Sequence, residues 1–276
     1  MAFATRWLTS NRQFEPGLVK PMIFVRGLIL ALLLVVTHAH AGDDVALSGQ
    51  NASAGQAALF VVPDVWPWGF RDDQGELQGS VIELVNRLSD LSGVPVRVQL
   101  LPLRRVIMDV TRGRGQFAFL FQSPDLDEST IPVETVLQIN LMLMAMRDTD
   151  FPLTLEDLAG KRVGYVRGTY LGESFKADDA VLKVPVYDIR QAIDMLMLGR
   201  ISAVLASDHN IAMTIDAYDF PAEEFRLQEH VKGQKARLYM SPASGNPEHA
   251  RLFKDALQYM RDNGELQRIF QTSSGQ

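Results

Sequence analysis

Residues 160–175 read GKRVGYVRGTYLGESF. A short apolar strand, 163–166, runs into Arg167 and Gly168, and Thr169-Tyr170 then open a helix. The first N–H groups of a helix lack internal acceptors and carry partial positive charge. With an Arg beside them they suit a carboxylate, a phosphate or another strongly polar group. The alternative is a tight turn with an exposed Arg. A second cluster, Trp66-Pro67-Trp68-Gly69-Phe70, sits at the end of an apolar run. Its rings offer flat walls, indole N–H donors and faces on which a cation could stack; the alternative is that two of the three are core. Arg104 and Arg105 open another helical stretch, where a guanidinium could hold an acid group bidentately or lie on a solvated face.

Alternating strands and helices must position these residues. The run 57–64 (AALFVVPD) reads as a buried strand. In 79–94, Val81, Leu84, Val85, Leu88 and Leu91 recur at helical spacing. PVRVQLLP and QFAFLF read as strands around the helix LRRVIMDVTRGRG. This strand–helix–strand–helix–strand order predicts a parallel sheet with helices on its faces. The scheme recurs: strands INLMLMAM, RVGYV, KVPVYD, ISAVLAS and ARLYMSP, helices near 171–176 and 189–198, and a terminal helix opened by Asn246-Pro247-Glu248.

The first 41 residues differ. Arg6, Arg12, Lys20 and Arg26 precede an apolar run, 28–36, and Ala39-His40-Ala41 gives an A-x-A site. This is the pattern of a cleaved signal peptide (1–41), and the run is about half of what a spanning helix needs. A start at Met22 would give a signal of conventional length. A small, polar leader, 42–56, follows. Without the signal the chain holds 23 basic and 32 acidic residues, a net charge of −9, which argues against nucleic acid or an anionic membrane as partner. There is no Cys, so neither disulfide nor lipid attachment is available. A soluble periplasmic protein is expected. No metal-ligand spacing and no cofactor motif stand out.

FVVPDVWPWGFRDDQGELQGSVIELVNRLSDLSGV, LTLEDLAGKRVGYVRGT, QAIDMLMLGRISAVLAS and the ending DNGELQRIF, in this order, resemble the family 3 bacterial extracellular solute-binding proteins. EDLAGKRVGYVRGT is the most specific piece. The resemblance implies an α/β, type II periplasmic-binding fold: two lobes, each a mostly parallel sheet flanked by helices, joined by two hinge crossovers near 138–141 and 233–236. Lobe 1 would be 57–139 plus 234–276, and lobe 2 would be 140–233. Such lobes close on a ligand held beyond the carboxyl ends of the strands. By this resemblance the ligand-binding residues are Trp66, Trp68, Phe70, Arg105, Gln122, Ser123, Arg167, Gly168, Thr169, Tyr170, Ser207 and Asp208. Arg105 fits the family position better than Arg104, and Glu83 reads as structural.

Two departures bear on the ligand. Amino-acid-binding members place an Arg shortly after "iTpe"; here the segment is QSPDLDEST, with Glu128 or a neighbour at that position. They also end "DavvvD" with an Asp for the ligand amino group; here Ser207 stands there, with Asp208 next. Both halves of the amino-acid clamp are altered, so a small polar or anionic ligand held by Arg105 and Arg167 is expected. The function expected is capture of that ligand by a non-catalytic monomer, for an ABC-type permease or a sensor. One alternative is a periplasmic enzyme resembling cyclohexadienyl dehydratase, with Glu173 or Asp208 as acid or base. Another is an interaction module without a ligand.

Overall fold

The computed structural model describes residues 56–271. The expected signal peptide lies outside them, as does the expected leader apart from Gln56. The elements of the first lobe begin with β1 (Ala58–Pro63), a small hairpin of β2 (Phe70–Arg71) and β3 (Leu77–Gln78), and α1 (Ser80–Ser92). Then come β4 (Val96–Leu101), α2 (Leu103–Thr111), β5 (Phe117–Phe121) and α3 (Pro124–Ser129). A long strand, β6 (Ile131–Met146), leads into the second lobe. There β7 (Arg162–Val166), α4 (Glu173–Ala177), β8 (Leu182–Val186), α5 (Ile189–Met197), β9 (Ala203–Ser207) and α6 (Asp208–Ala217) follow. A second long strand, β10 (Phe225–Met240), returns to α7 (Pro247–Asp262) and α8 (Glu265–Gln271).

Eight strands share one sheet in the order β4-β1-β5-β10-β6-β9-β7-β8. In the first lobe β1 is parallel to β4 and β5; in the second, β7 is parallel to β8 and β9. Each lobe therefore presents several strand carboxyl ends on one side, where ligands of open α/β sheets bind. The long strands β6 and β10 pair antiparallel through both lobes. Their register slips between Glu229 and Val231 and again between Val231 and Gln234. Beside the slip, Asn140 Oδ1 accepts the Gly233 N–H at 3.0 Å, and Asp208 Oδ2 accepts the Asn140 N–H at 3.1 Å.

Both faces of the sheet are covered, which is why the strands read as unbroken apolar runs. In β1, Phe60 and Val62 pack with α1, α7 and α8, while Val61 packs with Val106 and Val110 of α2. In the second lobe Val163 and Leu205 join Leu158 and Phe175 on one face, and Val204 joins Ile193 and Ile211 on the other. The sequence expectation captured only half of each long strand: 139–146 is the end of β6, and ARLYMSP the end of β10. Between Glu229 and Lys235 no residue is fully buried, so neither apolar run nor strict alternation marks that stretch. Helix α8 is separate from α7, broken at Asn263-Gly264. No helix among the described residues is long and apolar enough to cross a membrane.

Candidate functional site

A cavity with ≈ 660 Å³ of empty space, open solvent included, lies between the two lobes at the carboxyl ends of β1, β5 and β7. The first lobe contributes Pro63, Val65, Trp68, Val81, Leu103, Ile107, Phe119, Phe121, Ser123 and Leu126. The second contributes Gly168, Thr169, Tyr170 and Asn210. The wall is mostly apolar, and among the described residues no charged side chain lines it.

Gly168 explains the sharpness of the turn after β7. Its φ is +88°, and an added Cβ would stand 3.0 Å from Cγ of Arg104 on α2. The lobes touch here, and only a residue without a side chain fits both the backbone angle and the contact. Thr169 and Tyr170 follow into the cavity as loop rather than helix: the helix expected to open there, α4, starts only at Glu173, after Gly172 at φ +91°. Ser123 also lines it; the hydroxyl caps α3 by accepting the Leu126 N–H at 3.3 Å. Its own O–H has no acceptor among the described residues.

Of the aromatic cluster, Trp68 alone forms a cavity wall. Its ring is 7% exposed and packs on Phe121, Phe119 and Phe270 at 5.8–6.0 Å, and on His209 of α6 at 4.7 Å. Trp66 instead faces Tyr218 at 5.7 Å and, with Phe70, lines a separate surface cleft beside α1. The carbonyls of Pro67 and Trp68 accept the first N–H groups of α1, from Ser80 and Val81. The loop thus closes that helix end and keeps it from a ligand.

Four other expected site residues are engaged elsewhere. Arg105 is turned to Asp109, one helical turn on, with Nε–Oδ1 2.9 Å; Arg114 joins the same carboxylate at 2.6 Å. Burial pushes the Asp109 carboxyl up, but the hydrogen bonds from Arg114 and Arg105 outweigh it and hold it below the usual value. Arg104, weighed less heavily from sequence, lies at the cavity edge instead. Gln122 donates to Asp127 at 2.6 Å, and its carbonyl accepts from Gln234. Ser207 caps α6, accepting the Asn210 N–H at 3.1 Å. Asp208 accepts from Asn140 and His209 and faces a different hollow near α8. Arg167 is exposed and lies at the mouth of the cavity, outside its inner wall.

Sequence reasoning missed Asn210. It is 7% exposed, it lines the cavity, and its Oδ1 has no hydrogen-bond partner. An unsatisfied buried amide oxygen costs about 1–3 kcal/mol. The signal available was the Ser207-Asp208 pair, a helix start, which places Asn210 on the first turn. Leu126 was missed too: it occupies the wall close to where an Arg was sought after QSPD, while Glu128 is exposed.

The cavity opens into a polar mouth lined by Arg104, Arg167, Lys176, Lys183 and Asp125. Ser123, Gly168, Thr169 and Tyr170 line both spaces, so the two adjoin. Tyr170 O–H points to Glu173 at 3.5 Å; burial, then the Glu173 charge, raises the phenol above its ordinary value. Among the described residues no group of acidic, His or Cys side chains could hold a metal ion.

Residues 59–276 match the bacterial extracellular solute-binding proteins, family 3, and the chain belongs to that family. No curated protein matches it. Among solved structures, an ancestral arginine-binding protein bound to arginine superposes with a TM-score of 0.68 at 21% identity, over 80% of this chain and 99% of that one. A histidine kinase sensor domain with similarity to periplasmic binding proteins gives 0.68 at 18% identity, over 80% and 97%. The amino acid ABC transporter substrate-binding protein AbpA of Streptococcus pneumoniae, bound to L-arginine, gives 0.66 at 17% identity, again over 80% and 97%. Identities this low establish a shared fold, the type II periplasmic-binding fold.

Proposed function

From membership of this solute-binding family, we propose that the protein traps a small molecule in the cavity between its two lobes and releases it unchanged. The observation that carries this reading is Asn210, which lines the cavity and whose buried Oδ1 lacks a partner among the described residues. A ligand that donates a hydrogen bond there removes a penalty that the empty protein bears. Turnover would need a general acid or base within hydrogen-bond reach of the ligand. Among the described residues no Asp, Glu or His lines the cavity, Glu173 is exposed beside Lys176, and the Tyr170 phenol keeps its proton, raised by burial and then by the Glu173 charge.

The hinge falls where β6 and β10 slip register, at Asn140 and Gly233. Lobe 1 is then 57–139 plus 234–276, and lobe 2 is 140–233. The bond from Asn140 N–H to Asp208 ties α6 to this hinge. The protein acts in the periplasm after loss of its first 41 residues, as a monomer that hands its ligand to a permease or reports it to a sensor. The basic-then-apolar leader, the net acidic charge and the family's extracellular setting support this.

A thermal-shift screen of amino acids, polyamines, dicarboxylates, aromatic acids and sugar acids tests the reading. A ligand at 100-fold its Kd adds about 2.7 kcal/mol to stability. A stabilising compound recovered unaltered after incubation is the expected result. No shift with any class, or conversion of the compound, would contradict it.

A further inference from the structure

We infer that the ligand is an apolar-bodied organic anion, an aryl or branched alkyl carboxylate that carries a neutral hydrogen-bond donor such as a hydroxyl in place of an α-ammonium group; the inference rests on the solute-binding reading above. Three observations point to it.

The inner cavity is apolar. Val65, Trp68, Leu103, Ile107, Phe119 and Leu126 dominate its wall, and the polar groups are few and uncharged. A highly polar molecule would lose its hydration there without replacement. A flat or branched hydrocarbon body gains from contact with the same wall.

The mouth is cationic and incompletely neutralised. Lys176 has Asp125 at 3.4 Å and Glu173 at 3.8 Å. Lys183 donates to the Lys176 carbonyl at 3.0 Å and meets no carboxylate among the described residues. Arg104 and Arg167 form no ion pair among the described residues either. They belong to different lobes, and the Arg104 side chain packs on the Gly168 turn beside Arg167. Bringing the lobes together therefore brings two like charges together. An acid group between them converts that repulsion into attraction, so the anion favours closure. The α2 N-terminus, which starts at Pro102 without a side-chain cap, adds its partial positive charge on the same side.

The buried unpartnered acceptor at the wall, Oδ1 of Asn210, is neutral; it suits a hydroxyl and leaves an ammonium's charge uncompensated. The cavity wall has no carboxylate, and Asp208 is taken up by the backbone N–H groups of Asn140 and His209. An α-amino acid would leave its charged nitrogen unpaired in an apolar space.

Isothermal titration with four probes tests this: 3-phenyllactate, 3-phenylpropane-1,2-diol, L-phenylalanine and L-arginine. The same titrations are run on R104Q/R167Q, whose melting temperature is checked against the parent. The carboxylate is expected to bind at least tenfold tighter than the alcohol and than L-phenylalanine, and to weaken as salt rises. In the double variant its affinity should fall to that of the alcohol, with the alcohol unchanged. If either amino acid binds tighter than 3-phenyllactate, or if alcohol and acid bind alike, the ligand class is wrong while solute binding stands. If none of the four probes binds and the broader screen also fails, both readings fall.

Discussion

After β7 the chain runs Arg167-Gly168-Thr169-Tyr170; β9 ends in Ser207 and continues Asp208-His209-Asn210. Both turns belong to the second lobe, both follow a parallel strand, and both hold polar residues suited to a ligand. In the first, the backbone itself makes the turn, through a glycine at φ +88°, and the neighbouring side chains remain available. In the second, the side chains make the turn. Ser207 caps α6, Asp208 holds the hinge strand, and only the fourth residue, Asn210, reaches the cavity unpartnered. What a polar residue can do for a ligand depends on whether a helix end or a strand has already claimed it. Arg104 and Arg105 repeat the lesson within one helix: Asp109 claims the second and leaves the first.

Removing a claimed group should cost stability, whereas disturbing an unclaimed one should cost affinity. The largest effect on folding is expected for Asp208→Ala, which strips the acceptor from two N–H groups. A loss of about 1–3 kcal/mol should appear as a lower melting temperature. The loss of affinity should be smaller than for a change at Gly168; the reverse order would place Asp208 at the ligand.

Gly168→Ala forces a side chain into the left-handed region, at about 1–2 kcal/mol, and pushes its Cβ toward Arg104. Affinity for whichever compound stabilises the parent should fall about tenfold, since the clash opposes closure. Unchanged affinity would mean that the contact with α2 is incidental.

The smallest effect is a pH dependence at the second turn. Burial lowers the His209 pKa below 6.5, with nearby Asp208 opposing it; the ring packs on Trp68 of the other lobe. The unfolded chain therefore binds the proton more readily. Stability is present above about pH 6.5 and declines as pH falls through the folded value. His230, also lowered by burial, acts in the same direction. Thermal melts from pH 7.5 to 5 should show a decline that His209→Gln reduces. A steeper decline in that variant would contradict the assignment.

The short strands and helices of both lobes were legible because doubly covered strands give unbroken apolar runs and α1 and α5 give clean helical spacing. The hinge strands were half legible, since their exposed middle follows neither pattern. Helix α6 escaped notice: its burial concentrates on Asn210, Ile211, Met213 and Thr214, too few apolar positions to show a face. At the site, glycine with a flanking Arg was legible because backbone geometry leaves a mark in composition. The claims on side chains were less so, although the i,i+4 spacing of Arg105 and Asp109 was there to be read. Asp208 could not be assigned in this way, because its partner, the Asn140 N–H, is 68 residues away in sequence.

The most direct test needs no ligand: the melting temperature of Asn210→Leu. If Asn210 waits for a ligand, its buried Oδ1 destabilises the empty protein. Replacing it with a hydrocarbon of similar size should then raise stability by about 1–3 kcal/mol, or roughly 2–4 °C for each kcal/mol in a chain of this length. The same change should weaken binding of the compound found by screening. A lower melting temperature with binding intact would show that the amide already has a structural partner, and that the cavity is not built around it.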